Sequence, residues 1–300
     1  MDKATELFCL LDDFCQQFEP LLETQMLTHC SADDGSEKRQ RNRPCLMSLS
    51  EMSTIVVLFH RMRARQFKAF YCDIVCRFMK AEFPRRLSYS RFVQLMPRCG
   101  AVLVAFFQTV KGACTGLSIA DSTPLAVCDN LRIKRHKVFQ DVAQRGKSST
   151  GWFYGFKLHA VINHQGEIVA IKLTPGNVDD RKGLLPIVSD LFGKMYADKG
   201  YIGKEFAQKM KDKGVEIITR VRKNMKEVEH SDFDRALLRK RSLVETVFDE
   251  LKNLCQIEHT RHRSLMNFSV NLMAGIVAYC LQAVKPRIKV RDCRDAVSVI

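Results

Sequence analysis

The chain has 300 residues, 46% of them hydrophobic, and carries a net charge of +15 with a pI near 9.4. That apolar content excludes a disordered chain, and the length allows one or two domains with a sizeable core. The basic excess points to a polyanion partner, nucleic acid before an anionic membrane. It is uneven: residues 1–120 hold 16 Lys and Arg against 12 Asp and Glu, the remainder 32 against 21. The polyanion signal therefore lies mostly in the C-terminal part. The twelve cysteines include no CxxC pair and read as small buried hydrophobes in a reducing compartment. The acidic, amphipathic N-terminus does not suit a signal peptide. The apolar runs "AVLVAFF" and "NLMAGIVAYC" fall short of the ~20 residues of a membrane span. The expectation is a soluble intracellular protein with no membrane partner.

Residues 1–30 read as an amphipathic helix, and 31–45 as a polar, charged, Pro-ended loop. "SLSEMSTIVVLFHRMR" opens with a capping residue and turns apolar at helical spacing. Further helices are predicted at about 66–82, 88–97 and 99–112. The pattern changes near Gly116. "LSIADSTPLAVCDN" is strand-like. Two alternating apolar runs around "NHQGE" form a hairpin signal. "DRKGLLPIVSDLF" reads as a helix, "KMYA" as a short strand, "GKEFAQKMKDKG" as an amphipathic helix ending in Gly, and "VEIITR" as a strand. A basic stretch at 220–238 precedes the helix "RKRSLVETVFDELKN", and helix returns at 264–284. Antiparallel strands followed by β-α alternation predict an α/β (α+β) fold, one mixed sheet covered by helices and preceded by an all-helical N-terminal region.

Asp121 sits inside the first apolar strand, where a carboxylate is costly unless it binds something. Asp198 ends the short strand before "KGY", and ligand sites gather at such carboxyl ends. Glu245 lies on the late helix. At ~100° per residue, Arg241, Glu245, Asp249 and Lys252 form one stripe beside the apolar face of Val244, Val247, Phe248 and Leu251. Alone, that stripe is also what a surface salt-bridge ladder looks like. Likewise, Asp121 alone suits a turn cap and Asp198 an ordinary turn. Together, three carboxylates on separate elements suit hard divalent cations. Two such ions ~4 Å apart activate an attacking oxygen and stabilise a leaving oxygen on phosphorus.

The order strand-Asp, strand-end-Asp, helix-Glu resembles the ribonuclease-H-like domain of DDE transposases and integrases. The late helix resembles the signature of insertion-sequence transposases, with Arg four before the Glu and Lys seven after it, here Arg241, Glu245 and Lys252. The Tyr three before the Arg in that signature is Leu238 here. "DSTPLAVCDNLRIKRHKVF", "GKSSTGWFYGFKLHAVIN", "LTPGNVDDR", "ADKGYIG", "RKNMK" and "IEHTRHRS" look like the insertion-sequence family numbered nine hundred and eighty-two. The resemblance implies a bacterial DDE transposase with a helical region at 1–115 for DNA end recognition, a catalytic domain at 116–287 and a basic tail at 288–300. It implies that Asp121, Asp198 and Glu245 are the catalytic residues and hold two Mg²⁺ ions, for which Mn²⁺ substitutes. Water would cut the phosphodiester at the element's end, and the freed 3′-hydroxyl would attack target DNA. The implied partners are the terminal inverted repeats, target DNA and further copies of the chain in a homo-oligomer.

The expected DNA contacts are Arg241, Lys252, Arg132, Lys134, Arg135, His136, Lys137, Arg222, Lys223 and Lys226, acting on phosphates. A solvated loop is the plainer reading of 132–137. His259 and His262, flanked by arginines, suit phosphate or structural contacts better than a metal. Arg61, Arg65 and Lys68 share a helix face that suits DNA or plain solvent. Two other readings stay open: a metal-dependent nuclease on the same fold, and a DNA-binding transposase relic without catalysis.

Overall fold

The computed structural model describes residues 3–30, 45–149, 151–220, 225, 229–258 and 262–289. The chain folds as two compact units, Met1–Thr109 with Leu254–Tyr279, and Val110–Asn253 with Cys280–Ile300. Residues 254–279 thus group with the N-terminal helices, whereas the sequence reading puts them in the 116–287 segment. Helix Leu265–Cys280 is apolar on nearly every side, so no face of it says which core it joins.

The first unit is helical. It contains α1 (Lys3–Cys30), α2 (Leu49–Arg61), a run α3 (Phe67–Ala69, a π segment Phe70–Val75, then Cys76–Phe78), α4 (Tyr89–Leu95) and α5 (Cys99–Val110). A capping box starts α2: the Ser48 hydroxyl accepts from the Glu51 N–H while the Glu51 carboxylate accepts from the Ser48 N–H. Leu7, Leu11, Ile55, Phe59, Phe70, Tyr71, Phe92 and Leu103 are buried, as are Ile276 and Tyr279. A 3₁₀ turn, Met96–Arg98, joins α4 to α5, so Tyr89–Val110 is helical for 22 residues. By length and composition that run is able to cross a membrane, which corrects the expectation that every apolar run is too short. Its Phe92, Met96, Val102, Leu103, Phe106 and Phe107 are buried in the helical core instead.

The second unit is built on β1 (Leu117–Cys128), β2 (Gln144–Ser148), β3 (Gly151–Asn163), β4 (Ile168–Pro175), β5 (Gly193–Ala197) and β6 (Val215–Thr219). The sheet order is β2-β3-β1-β5-β6, with β4 also on β3. β3 is long enough to pair β2 through Gly151–Gly155 and β4 through Phe156–Ile162 on one edge, while β1 runs antiparallel on the other. β5 and β6 are parallel to β1. The mixed sheet and the β3–β4 hairpin match the sequence reading. β2 is additional: its short polar sequence, Gln-Arg-Gly-Lys-Ser, has no apolar alternation to reveal it.

The helices of this unit are α6 (Asp180–Leu184), α7 (Lys204–Asp212), α8 (Asp232–Arg239) and α9 (Leu243–Asp249); Leu265–Cys280 of the first unit is α10. Leu184 of α6 and Phe206 and Met210 of α7 pack with Ala120, Val161, Met195, Ala197 and Val215 on one sheet face. α8 and α9 meet the sheet at β5, β6 and β1. The late helix therefore starts earlier than predicted, at Asp232, with the Ser231 hydroxyl accepting from the Asp234 N–H. It also changes pitch: a 3₁₀ turn at Lys240–Ser242 precedes α9 and a π segment, Glu250–Leu254, follows it.

Candidate active site

Side chains alternate between the two faces of a strand, and the site is built on that rule. Ala120 and Ser122 of β1 face α6, so Asp121 faces α9. Likewise Met195 and Ala197 of β5 are in the α6–α7 core, whereas the Tyr196 hydroxyl reaches Asp234 of α8. Asp198, the next residue of the same parity, follows the last residue of β5. β1 pairs β5 only over Leu117–Ile119. Beyond Ile119 that edge of β1 is no longer paired to β5, so Pro124 fits in the strand and a gap opens at Asp121.

One guanidinium closes that gap. Arg241 Nη1 donates to Asp121 Oδ2 at 2.9 Å, and Nη2 to Glu245 Oε1 at 3.0 Å. Nη2 lies 3.9 Å from Asp198 Oδ1. The structure thus brings Asp121, Asp198 and Glu245 around a single cation. The Arg241 side chain is only 18% exposed, so it is turned onto the acids and away from solvent. Burial pushes the Asp121 carboxyl up to about 6. The Ser122 N–H, which Asp121 accepts at 2.8 Å, and Arg241 pull the other way, and the nearby Asp198 adds to the rise. Asp198 and Glu245 are exposed.

Behind β1 lies a second group that sequence reasoning missed. Asp180 Oδ1 accepts from the Ser122 hydroxyl at 2.8 Å and from Lys157 Nζ at 3.0 Å, and Lys157 also donates to the Val178 carbonyl. Tyr201 is buried beside Asp121 and Asp180, and burial raises its phenol well above the usual value. The signal available was the acidic pair after β4 in "LTPGNVDDR". Asp179 caps α6 by accepting from the Arg181 N–H, and its Arg181 hydrogen bonds hold its carboxyl down at about 2.

The remaining candidates divide. Lys252 Nζ donates to the Pro124 carbonyl at 2.6 Å, which clasps the late helix to β1. Lys252 lies in the π segment Glu250–Leu254, which turns less per residue than an α-helix. Asp249 accepts from Asn253 Nδ2, one turn on, and is exposed. Arg132, Lys134, Arg135 and Lys137 are exposed on and after a 3₁₀ segment, Asn130–Arg135. His136 is half-buried, its ring 5.4 Å from Phe139 and 6.3 Å from Tyr154. Arg222, Lys223, Lys226 and His259 lie outside the described residues. Leu238, at the Tyr position of the resembled signature, is buried, and its carbonyl accepts from Arg220.

Among the described residues no three His, Cys, Asp or Glu side chains are grouped to hold a metal ion. The three acids share a cation, and that cation is the Arg241 guanidinium. Their donor set is nonetheless all carboxylate oxygen, which is the chemistry a hard divalent ion takes, and they already surround one centre of positive charge. The residues present fit such an ion once Arg241 yields.

Residues 111–265 match the family described as "Transposase DDE domain", and the chain belongs to it. No curated protein and no solved structure matches the chain. Membership makes this a transposase-class protein that acts on DNA.

Proposed function

We propose that the chain is an insertion-sequence transposase, resembling the nine-hundred-and-eighty-two family, that cuts DNA at its element's ends and joins the freed ends to a target. The observation that carries the reading is the convergence of Asp121, Asp198 and Glu245 on one guanidinium, inside the segment that matches the family. The strand order β4-β3-β1-β5-β6, three antiparallel and then two parallel additions, supports a ribonuclease-H-like domain.

The three acids would hold two Mg²⁺ ions, or Mn²⁺ in their place. Bound there, the ions would supply activation of the attacking oxygen and neutralise charge on the leaving one. The chain's own residues do the rest. Asp121, fixed by the Ser122 N–H and mostly excluded from solvent, is the rigid ligand; Asp198 and Glu245, exposed, adapt around it. Arg241 gathers the three acids and, displaced by the ions, would turn its N–H donors to a phosphate oxygen. In the first step water adds to phosphorus and the bond to the 3′-oxygen breaks, leaving a 3′-hydroxyl and a 5′-phosphate. In the second that hydroxyl displaces a 3′-oxygen of target DNA. Both are in-line displacements governed by positioning and charge. Arg132, Lys134, Arg135 and Lys137 contribute backbone affinity. The helical unit recognises the element ends, and a homo-oligomer holds two of them.

The test is cleavage of labelled DNA bearing the element's ends, with Mg²⁺, by the wild type and Glu245→Gln. Nicking at the element boundary that the substitution abolishes, with DNA affinity nearly unchanged, supports the proposal. Affinity lost together with cleavage makes Glu245 a structural residue and overturns its role. Hydrolysis without joining of a supplied 3′-hydroxyl end identifies a nuclease, and tight binding without cutting by either protein identifies a DNA-binding relic.

A further inference from the structure

The helical unit contains a cleft of about 1170 Å³ that the catalytic reading leaves unused. Its composition is specific. Arg65, Lys68 and Arg263 are exposed cations in its lining, against a single carboxylate, Glu258. Phe67 and Tyr89 supply half-buried aromatic surface, with ring centroids 6.5 Å apart, and Lys68 Nζ lies 5.9 Å from the Tyr89 ring centre. In the same lining, Asn267 donates to the Val93 carbonyl, and among the described residues neither its buried Oδ1 nor the buried Nε2 of His262 has a hydrogen-bond partner.

Unpaired buried polar atoms are costly and call for a partner. An amide oxygen and an imidazole nitrogen in the lining of one cleft with aromatic rings match the edge and the face of a nucleobase. The cations match the phosphate attached to it. Inside a paired duplex a base exposes neither its faces nor its pairing edge, so the fitting ligand is an unstacked nucleotide. We propose that this cleft binds an unpaired nucleotide of a DNA strand, the base against Phe67 and Tyr89 with its edge on Asn267 and His262, and the phosphate on Arg65, Lys68 and Arg263. The inference rests on the DNA-acting reading above and adds to it a second, non-catalytic site.

The full chain is titrated, without divalent metal, with three labelled oligonucleotides of unrelated sequence: a paired duplex, the same duplex with one unpaired nucleotide, and the single strand. The wild type is expected to bind the last two more tightly than the duplex. Tyr89→Leu is expected to erase that preference, weakening single-strand binding about tenfold while leaving duplex binding unchanged. Arg65→Ala, at an exposed position that cannot disturb the core, is expected to weaken single-strand binding and lower its salt dependence. Equal affinity for all three probes, or a preference that survives both substitutions, overturns the proposal. Failure here is separable from failure of the catalytic reading. Nicking lost in Glu245→Gln beside an unchanged Tyr89→Leu preference sinks only the cleft, and the reverse pattern sinks only the catalysis.

Discussion

Arg241 is the residue on which the site turns. On a helical wheel it sits beside Glu245 as an ordinary i, i+4 partner. In the fold its guanidinium neutralises three acids at once, one of them well shielded from water. Removing it leaves Asp121 desolvated with Asp198 and Glu245 close by, so Arg241→Ala is expected to lose roughly 1–3 kcal/mol of stability at neutral pH. Millimolar Mg²⁺ should restore part of that loss, because an ion that binds only the folded site stabilises it. The check is thermal unfolding with and without Mg²⁺. A larger Mg²⁺-induced rise in Tm for Arg241→Ala than for the wild type is expected, and equal rises would show that guanidinium and ion do not compete. The three acids were readable in the sequence because a carboxylate in an apolar strand, one at a strand end and one on an amphipathic helix each break or decorate a regular pattern. The inward turn of Arg241 was not readable, since a side chain's direction depends on charges that lie far off in the chain.

At the scale of elements, the question is what holds the late helix over the sheet so that Arg241 and Glu245 reach β1. A buried polar clasp does it. Asp234 of α8 accepts from Lys194 Nζ at 2.9 and 3.0 Å, from the Tyr196 hydroxyl at 2.7 Å and from the Ser231 hydroxyl at 2.6 Å. These bonds tie α8 to β5, and Lys252 ties the far end of the run to β1. Together they fix the register in which Arg241 and Glu245 approach Asp121. Deleting the carboxylate removes the acceptor that Lys194 and the buried Tyr196 hydroxyl share. Asp234→Ala is expected to cost ~3 kcal/mol and to reduce DNA cleavage although Asp234 is no part of the acid triad. Chemical denaturation and the cleavage assay on one preparation test both. Full activity with lowered stability would show that the clasp holds the fold but not the site. The clasp escaped the sequence reading because residues 220–238 look like a basic loop there, and Asp234 looks like one more solvated charge.

Across the whole molecule, buried ionisable groups set how each unit responds to acid. In the helical unit burial lowers His60 and His262 to about 4. Unfolded histidine titrates near 6.5, so between pH 6.5 and 5 the unfolded state binds more protons than the folded one. Stability of this unit therefore falls as pH falls, by up to ~2–3 kcal/mol per pH unit for two protons. In the sheet unit His159 is also lowered to about 4 by burial, which acts in the same sense. Asp121 is raised to about 6 and acts in the opposite sense, because the folded state holds the proton that the unfolded state releases. The two contributions nearly cancel. Hydrogen exchange at pH 6.5 and pH 5 is expected to show the helical unit opening more readily at the lower pH, with the sheet unit little changed. Parallel behaviour of both units would contradict this assignment.

The sequence by itself determined the strand and helix order from Leu117 to Thr219 apart from β2, the basic character of the chain and the three acidic candidates. Each is a local matter of periodicity, turn residues or a charge placed where charge is expensive. Only the tertiary structure decided that one arginine gathers those acids, that Asp180 and Lys157 stand behind β1, and that helix Leu265–Cys280 belongs to the helical unit. The cleft beside Tyr89 is of the same kind, since its walls come from segments nearly two hundred residues apart. Such features arise when distant side chains meet, and no spacing along the chain encodes a meeting that the packing of separate elements alone brings about.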